Sequence, residues 1–332
     1  MSKYPTSRNF GFGKQIEWAG RKALEQYYGN GHYSTVNTHA QHWELFCRWI
    51  RETRDMRDAR EITQNVLEDY ADMLSQRVKD ETMDVAYAQN LISSLNITLE
   101  SMRGVMPIRI QSPSEWVGRR CTFREIPPTG YDWEQVNAAA EHLQKVGLPR
   151  ARLAVLLCRR FGLRLREAVL GNIADWIRQA REKGAIDVRK GTKGGRGNEV
   201  ERWVPCNTDG CHLLAEVEHV CKSLGCGANM LLPDETYNSF VNNGEINLAR
   251  THLHKLGIKG YHDLRASWAC ERFQQLNGHP APIFDPTTRC KHRKHWETEN
   301  ILTRELGHDR TEVVQAYIGA RALVWKNRCT FP

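Results

Sequence analysis

The sequence predicts a mainly α protein with a small antiparallel β-sheet, divided into two domains. Three observations lead there. Apolar residues recur every three or four positions along most of the chain, period-two alternation is confined to one short stretch around a glycine-rich turn, and prolines break the pattern about one third of the way along. At 332 residues the chain exceeds what one compact core usually holds, so a smaller and a larger domain fit.

The first third reads as four successive helices. One spans about 15–28, and a second spans 35–51, with Ser34 or Thr35 available as its N-cap. The second carries Trp43, Phe46, Cys47 and Ile50 at helical spacing, a stripe to be packed against partner helices. Ile62, Val66, Leu67, Tyr70 and Leu74 form a third stripe, and Leu91, Leu95, Ile97, Leu99 and Met102 a less regular fourth. Four such faces close into a helical bundle. From Met106 to Tyr131, Pro107, Pro113, Pro127, Pro128 and Gly130 break the pattern while Arg109, Arg119, Arg120 and Arg124 gather. This segment is expected to be an interdomain linker, lying along a phosphate backbone or serving as a solvated connector.

Helices are expected again over 132–145 and 150–161, the latter with Leu153, Val155, Leu156 and Leu157. Segments 185–189 and 200–205 then read as two short strands around the turn-rich 191–198, a small hairpin among helices. Helical signals return from Thr208, with breaks at 225–227 and 278–287. No internal repeat is found.

Lysine plus arginine total 47 against 39 aspartate plus glutamate, a net charge of +8 that suits a polyanionic partner without requiring one. The first 14 residues are polar and broken by Pro5, Gly11 and Gly13, so they lack a secretory apolar core. No run approaches the roughly 18 apolar residues of a membrane span. A cytoplasmic, nucleoid-associated location is therefore expected, with the ten cysteines as reduced thiols. Cys206, Cys211, Cys221 and Cys226 have a spacing that can serve a zinc site. Leu213, Leu214, Val217 and Val220 mark a helix between them, however, and at 1.5 Å per residue Cys211 and Cys221 would stand about 15 Å apart.

Four short segments carry the chemistry. The first is Gly162-Leu163-Arg164-Leu165-Arg166-Glu167, a glycine ending one helix and an Arg-x-x-Glu opening the next. By itself it reads as a surface ion pair. The second is the flexible basic loop Gly191-Thr192-Lys193-Gly194-Gly195-Arg196-Gly197, by itself a solvated hairpin tip. The third is Tyr261-His262-Asp263-Leu264-Arg265, which puts His262 and Arg265 on one helical face. The fourth is Leu306-Gly307-His308, with Tyr317 nine residues after the histidine.

Taken in order, these segments resemble the tyrosine recombinase, or phage integrase, family over essentially the whole chain. The family pattern is an arginine in Gly-x-Arg-x-x-Glu, a lysine in a β-turn, a His-x-x-Arg box, and Leu-Gly-His followed by a nucleophilic tyrosine. The resemblance implies an N-terminal helical core-binding (SAM-like) DNA-binding domain over 1–112, a linker over 113–130 and a catalytic integrase domain over 131–332. It further implies a site-specific recombinase that cleaves and rejoins double-stranded DNA through a 3′-phosphotyrosine, working as a homo-tetramer on two DNA sites, with accessory directionality proteins among its possible partners. By residue-wise match Tyr317 is the nucleophile, Arg164 and Arg265 clamp the phosphate, and His262 takes the tyrosine proton. Lys193 protonates the departing 5′-oxygen, with Lys190 as an alternative, His308 donates a hydrogen bond to the phosphate, and Glu167 braces the arginine-bearing helix. Independent chemistry agrees: displacement at phosphorus builds negative charge that planar guanidiniums stabilise, and a phenol of reference pKa near 10 needs a proton acceptor. No cofactor or metal is expected, since the sequence holds no Walker-type phosphate loop and no evident two-metal carboxylate cluster.

The 266–307 segment is longer than the family pattern and holds His279, Cys290, His292 and His295 within or near the basic run 289–294. A solvated or DNA-facing insertion is the expectation, with a metal site as the alternative. Beyond the tyrosine, Ala322, Leu323, Val324 and Trp325 form an apolar patch suited to docking on a neighbouring protomer or folding back. Rival readings of the whole chain are a type IB topoisomerase, a DNA-binding protein without catalysis, and a cysteine–metal enzyme.

Overall fold

The structure, a computed structural model, describes residues 7–104, 108–287 and 292–321. The chain divides between Cys121 and Thr122 into two compact units. The first is helical: α1 (Ile16–Tyr28), α2 (Tyr33–Arg54), α3 (Gln64–Lys79), α4 (Val85–Arg103) and the single-turn α5 (Pro113–Val117). Helix α1 packs on α2 and α4, and α2 packs on α4. Trp43, Phe46, Cys47 and Ile50 of α2 are fully buried, and the Trp43 indole donates to Ile16 O at 2.9 Å, so the large ring is sealed without an orphaned N–H.

Helix α2 begins at Tyr33, two residues before the expected start at Thr35, with His32 in the N-cap position and no side-chain cap. Gly29 and Gly31 reverse the chain at positive φ, so the helix starts as soon as that turn ends and Ser34 and Thr35 fall inside its first turn. The irregular stripe of α4 also has a physical reason. This helix buries Ser94, Asn96 and Thr98 together with its leucines, because it is enclosed on more than one side. Asn96 exchanges two 2.9 Å hydrogen bonds with the backbone of Ile110 and so ties the following segment to the bundle. Helix α5 packs on α3 and α4 with Val117 buried, which puts 113–121, read from the sequence as the start of the linker, in the first unit.

The second unit contains α6 (Trp133–Lys145), α7 (Pro149–Phe161), α8 (Leu165–Leu170), α9 (Ile173–Lys183), β1 (Ala185–Asp187), β2 (Trp203–Pro205), α10 (Thr208–Ser223), α11 (Tyr237–Asn242), α12 (Glu245–Lys255), α13 (Tyr261–Asn277), α14 (His292–Glu305) and α15 (Gln315–Ile318). Helix α7 is its pivot, packed by α6, α10, α12 and α13, which accounts for its near-continuous apolar run. The strands pair antiparallel with Ile186 opposite Val204. The ladder is shorter than the sequence suggests because side chains take over its donors: Asp187 Oδ1 accepts from Arg202 N at 2.8 Å, and Thr192 Oγ1 accepts from Gly197 N at 2.8 Å.

Helix α10 lies between the two cysteine pairs. The Cys206 and Cys211 thiols are 3.7 Å apart at its start, and Cys221 contacts Cys226 beyond its end. Among the described residues no three metal-ligating side chains gather. In the 266–307 segment, α13 and α14 pack together. His295 is buried against Phe273 and faces Glu299 at 3.5 Å, while His279 is exposed. Cys290, the His292 side chain and the 322–325 patch lie outside the described residues. No described helix is long and apolar enough to cross a membrane.

Candidate active site

The second unit brings Arg164, His262, Arg265, His308 and Tyr317 together. Helix α7 ends at Gly162, which adopts left-handed φ +59, and a Cβ there would stand 2.2 Å from the Trp268 ring. The chain then turns so that Arg164 sits at the N-cap of α8. Glu167 closes that turn, accepting from Arg164 N at 2.7 Å and pairing with Arg164 Nη1 at 2.6 Å. The Arg-x-x-Glu pair is therefore not a surface ion pair, since Glu167 is fully buried.

Three guanidiniums surround that one carboxylate. Besides Arg164, Glu167 faces Arg202 Nη1 at 2.7 Å and Arg265 Nη1 at 3.6 Å. Burial alone would raise the Glu167 pKa, but Arg202, Arg265 and Arg164 outweigh it and hold the value at about 2. Arg265, fully buried on α13, also donates to the carbonyls of Gly162 and Leu306, and burial followed by the neighbouring Arg202 lowers its pKa to about 10. It stays cationic at neutral pH. Three arginines against one glutamate leave the pocket a surplus of two positive charges, the sign a phosphodiester needs.

Tyr317 is carried on α15, a single helical turn following a 3-10 turn at Thr311–Val314, and its side chain is buried. Its hydroxyl lies 3.2 Å from His308 Nε2 and 3.4 Å from Arg265 Nε, which donates to it. His308 Nε2 also faces Arg164 Nη2 at 3.5 Å. An arginine only donates, so the network assigns Nε2 of His308 as the unprotonated nitrogen and the tyrosine hydroxyl as its donor. Burial, then Arg265, Arg164 and Arg202, push the His308 pKa down to about 3, so it is neutral at pH 7. The His262 ring lies 5.2 Å from the Tyr317 ring, centroid to centroid, and the residue is exposed. Its pKa is also lowered, by partial desolvation and by Arg265, Arg124 and Arg164, with Asp263 opposing.

Lys193 begins the turn-rich segment Lys193–Asn198 and is exposed. It lines a cavity of about 100 Å³ together with Arg164, Arg196, Arg202 and His308. Lys190 is exposed and is not part of that lining. Sequence reasoning missed Arg202, which is buried, donates from Nε to Glu305 O at 2.7 Å, and packs so closely that a Cβ on Gly307 would meet its Cδ at 2.8 Å. A signal for it existed: period-two alternation puts Arg202 on the face of Val204, the buried face, where an arginine is out of place unless paired.

No protein-family model matches the sequence, and no curated protein matches it either. Among solved structures, a lambda integrase dimer bound to a COC′ core site is similar at TM-score 0.56 and 16% identity, over 90% of this chain and 93% of that one. A lambda integrase tetramer bound to a Holliday junction gives TM-score 0.49 and 13% identity, over 87% and 73%. XerA recombinase gives 0.39 and 14%, over 94% and 99%. The first of these carries the structural conclusion: the chain has the mainly α tyrosine recombinase fold.

Proposed function

We propose that this chain is a tyrosine-type site-specific DNA recombinase that cuts and rejoins double-stranded DNA through a covalent bond between Tyr317 and a 3′-phosphate. The observation that carries this reading is the placement of the Tyr317 hydroxyl within 3.4 Å of both Arg265 Nε and His308 Nε2, in a buried pocket with surplus positive charge. The similarity in fold to an integrase bound to its core site supports DNA as the partner.

In the proposed reaction the scissile phosphate enters beside Arg164 and Arg265. Their guanidiniums neutralise the charge that develops on the non-bridging oxygens, and Glu167 keeps both in place before DNA arrives. The Tyr317 oxygen attacks phosphorus, its proton passes to a histidine, and the bond from phosphorus to the 5′-oxygen breaks. Lys193, exposed on its glycine-rich loop, protonates that leaving oxygen. A 5′-hydroxyl from a second strand reverses these steps and releases the tyrosine, so the energy of the phosphodiester is kept in the phosphotyrosine and no nucleotide triphosphate is consumed. His262 is the proton acceptor by resemblance. The hydroxyl–His308 hydrogen bond favours His308 as a second candidate, and binding of a phosphate anion would raise its depressed pKa toward the working range. Glutamine in place of the true acceptor gives the larger loss of cleavage. Four protomers on two duplexes complete strand exchange in this reading, and accessory proteins would set its direction.

The test is trapping of a covalent protein–DNA adduct on nicked suicide substrates carrying candidate attachment sites, in EDTA, for the native chain and Tyr317→Phe. A metal-independent adduct present only in the native chain is the expected result. Full strand cleavage by Tyr317→Phe would overturn the assignment. Relaxation of supercoils without partner exchange would identify a topoisomerase instead.

A further inference from the structure

The sequence places Arg124 among four basic linker residues, expected either along a phosphate backbone or in a solvated connector. The structure commits it elsewhere. Its guanidinium pairs with Asp263 and its Nε donates to Ile126 O at 3.0 Å, leaving the side chain only 15% exposed, whereas Arg109, Arg119 and Arg120 are exposed. Its backbone N–H donates to Gln315 O at 2.9 Å, two residues before Tyr317. Asp263 follows His262 directly in the first turn of α13, and its second oxygen accepts from Thr129 N at 3.0 Å and Thr129 Oγ1 at 2.8 Å. Buried Phe123 and the restricted Pro127-Pro128 pair stiffen the segment between these anchors.

Helix α15 is four residues long, far below the length at which a helix holds itself together. Its orientation is therefore set from outside, by packing on α13 and by donors to its carbonyls: Arg124 N to Gln315 O, Ile283 N to Ile318 O at 2.8 Å, and Cys270 Sγ to Tyr317 O at 3.6 Å. Of these three residues, only Arg124 also grips, through its side chain, the turn that carries His262.

We propose that Arg124 is a positioning residue: by bonding α15 through its backbone and Asp263 through its guanidinium, it fixes the Tyr317 hydroxyl in register with His262 and Arg265. This rests on the recombinase reading for its catalytic consequence, but the geometric claim stands apart from it. A misplacement of about 1 Å at reacting atoms is enough to cost about 100-fold in rate. Removing the guanidinium leaves Asp263 without its cation and lets 123–126 shift against α15.

Two measurements on the full chain test it, using Arg124→Ala, Arg124→Lys, Asp263→Ala and the Arg124→Ala/Asp263→Ala pair. The first is single-turnover cleavage of nicked suicide DNA at saturating concentration, with Kd measured separately. Arg124→Ala should cleave about 10- to 100-fold more slowly with Kd within about twofold, a change too small to signal a lost phosphate contact. Arg124→Lys should recover most of the rate, and the double variant should be no slower than the slower single one. A rate equal to native, or a loss confined to Kd as for a phosphate contact, overturns the proposal. The second places 3-fluorotyrosine at position 317 and follows its fluorine resonance without DNA. A line that shifts or broadens in Arg124→Ala and returns in Arg124→Lys supports the proposal, and an unchanged line overturns it. This signal needs no cleavage, so a native chain that forms no adduct sinks the recombinase reading while leaving the positioning claim to the resonance. Should Arg124→Ala fail to fold, Asp263→Asn probes the same contact by weakening only its charge.

Discussion

The two units differ in what they bury. In the first, aromatic and aliphatic side chains such as Trp43, Phe46, Ile50 and Leu74 fill the interior, the buried polar groups include Ser94, Asn96 and Thr98, each satisfied by a nearby backbone or side-chain partner, and buried Asp58 pairs singly with Arg60 at 2.6 Å. In the second, an apolar shell encloses charges: Arg159 against Glu271, Arg150 against Glu235 and Glu245, and Arg164, Arg202 and Arg265 around Glu167. Buried ion pairs are poor sources of net stability, because desolvation offsets much of the Coulomb attraction. The last of these, three guanidiniums around one carboxylate beside Tyr317, points to a pocket preorganised for an anion, while the apolar bundle carries no comparable cluster among its described residues.

The largest effect should come from opposing that arrangement at its centre. Glu167→Ala leaves three guanidiniums facing one another in a buried site, with an expected loss of about 3–5 kcal/mol of stability, read by chemical denaturation, together with loss of adduct formation. A small loss would mean that water or a rearranged arginine already screens the cluster and that the contrast between units is overstated. Next is the exposed loop of the same unit. Lys193→Ala should slow cleavage by about 10²- to 10⁴-fold with normal folding, and Lys190→Ala should stay close to native, as measured on suicide substrates. A substrate with a 5′-bridging sulfur, whose leaving group needs no proton, should restore the Lys193→Ala rate. The reverse ranking of the two lysines would move the general acid to Lys190.

A smaller effect is expected in the bundle. Ile50→Val should cost about 0.5–1.5 kcal/mol by denaturation and leave the single-turnover cleavage rate at saturating DNA unchanged. A fall in that rate would show the bundle's packing acting on the chemistry. The smallest effect concerns pH. His308 is held at about 3 in the folded chain against an ordinary 6.5, so between those values the unfolded chain binds more protons and stability falls as pH falls through the window. Replacing His308 with glutamine should flatten that slope by at most about 1.4 kcal/mol per pH unit. His39, His42 and His262 are depressed too and act with the same sign, so the change caused by the variant is the quantity to measure. A slope that steepens would mean His308 is protonated in the folded chain.

Much of this protein was legible in its sequence because period and spacing are local properties. The stripes of α2 and α3, the short hairpin and the order Arg164, Lys193, His262, Arg265, His308, Tyr317 are all set by neighbours within a few residues. What lies beyond that reach was decided only by tertiary packing. The helical role of α5, the inward aim of Arg202 at Glu167 and the commitment of Arg124 to Asp263 depend on partners up to 139 positions away. The same arginine type reads alike in a linker whether it meets water, phosphate or a buried carboxylate. Which of these it meets is a matter of desolvation and charge pairing, and those are fixed only when distant segments fold against one another.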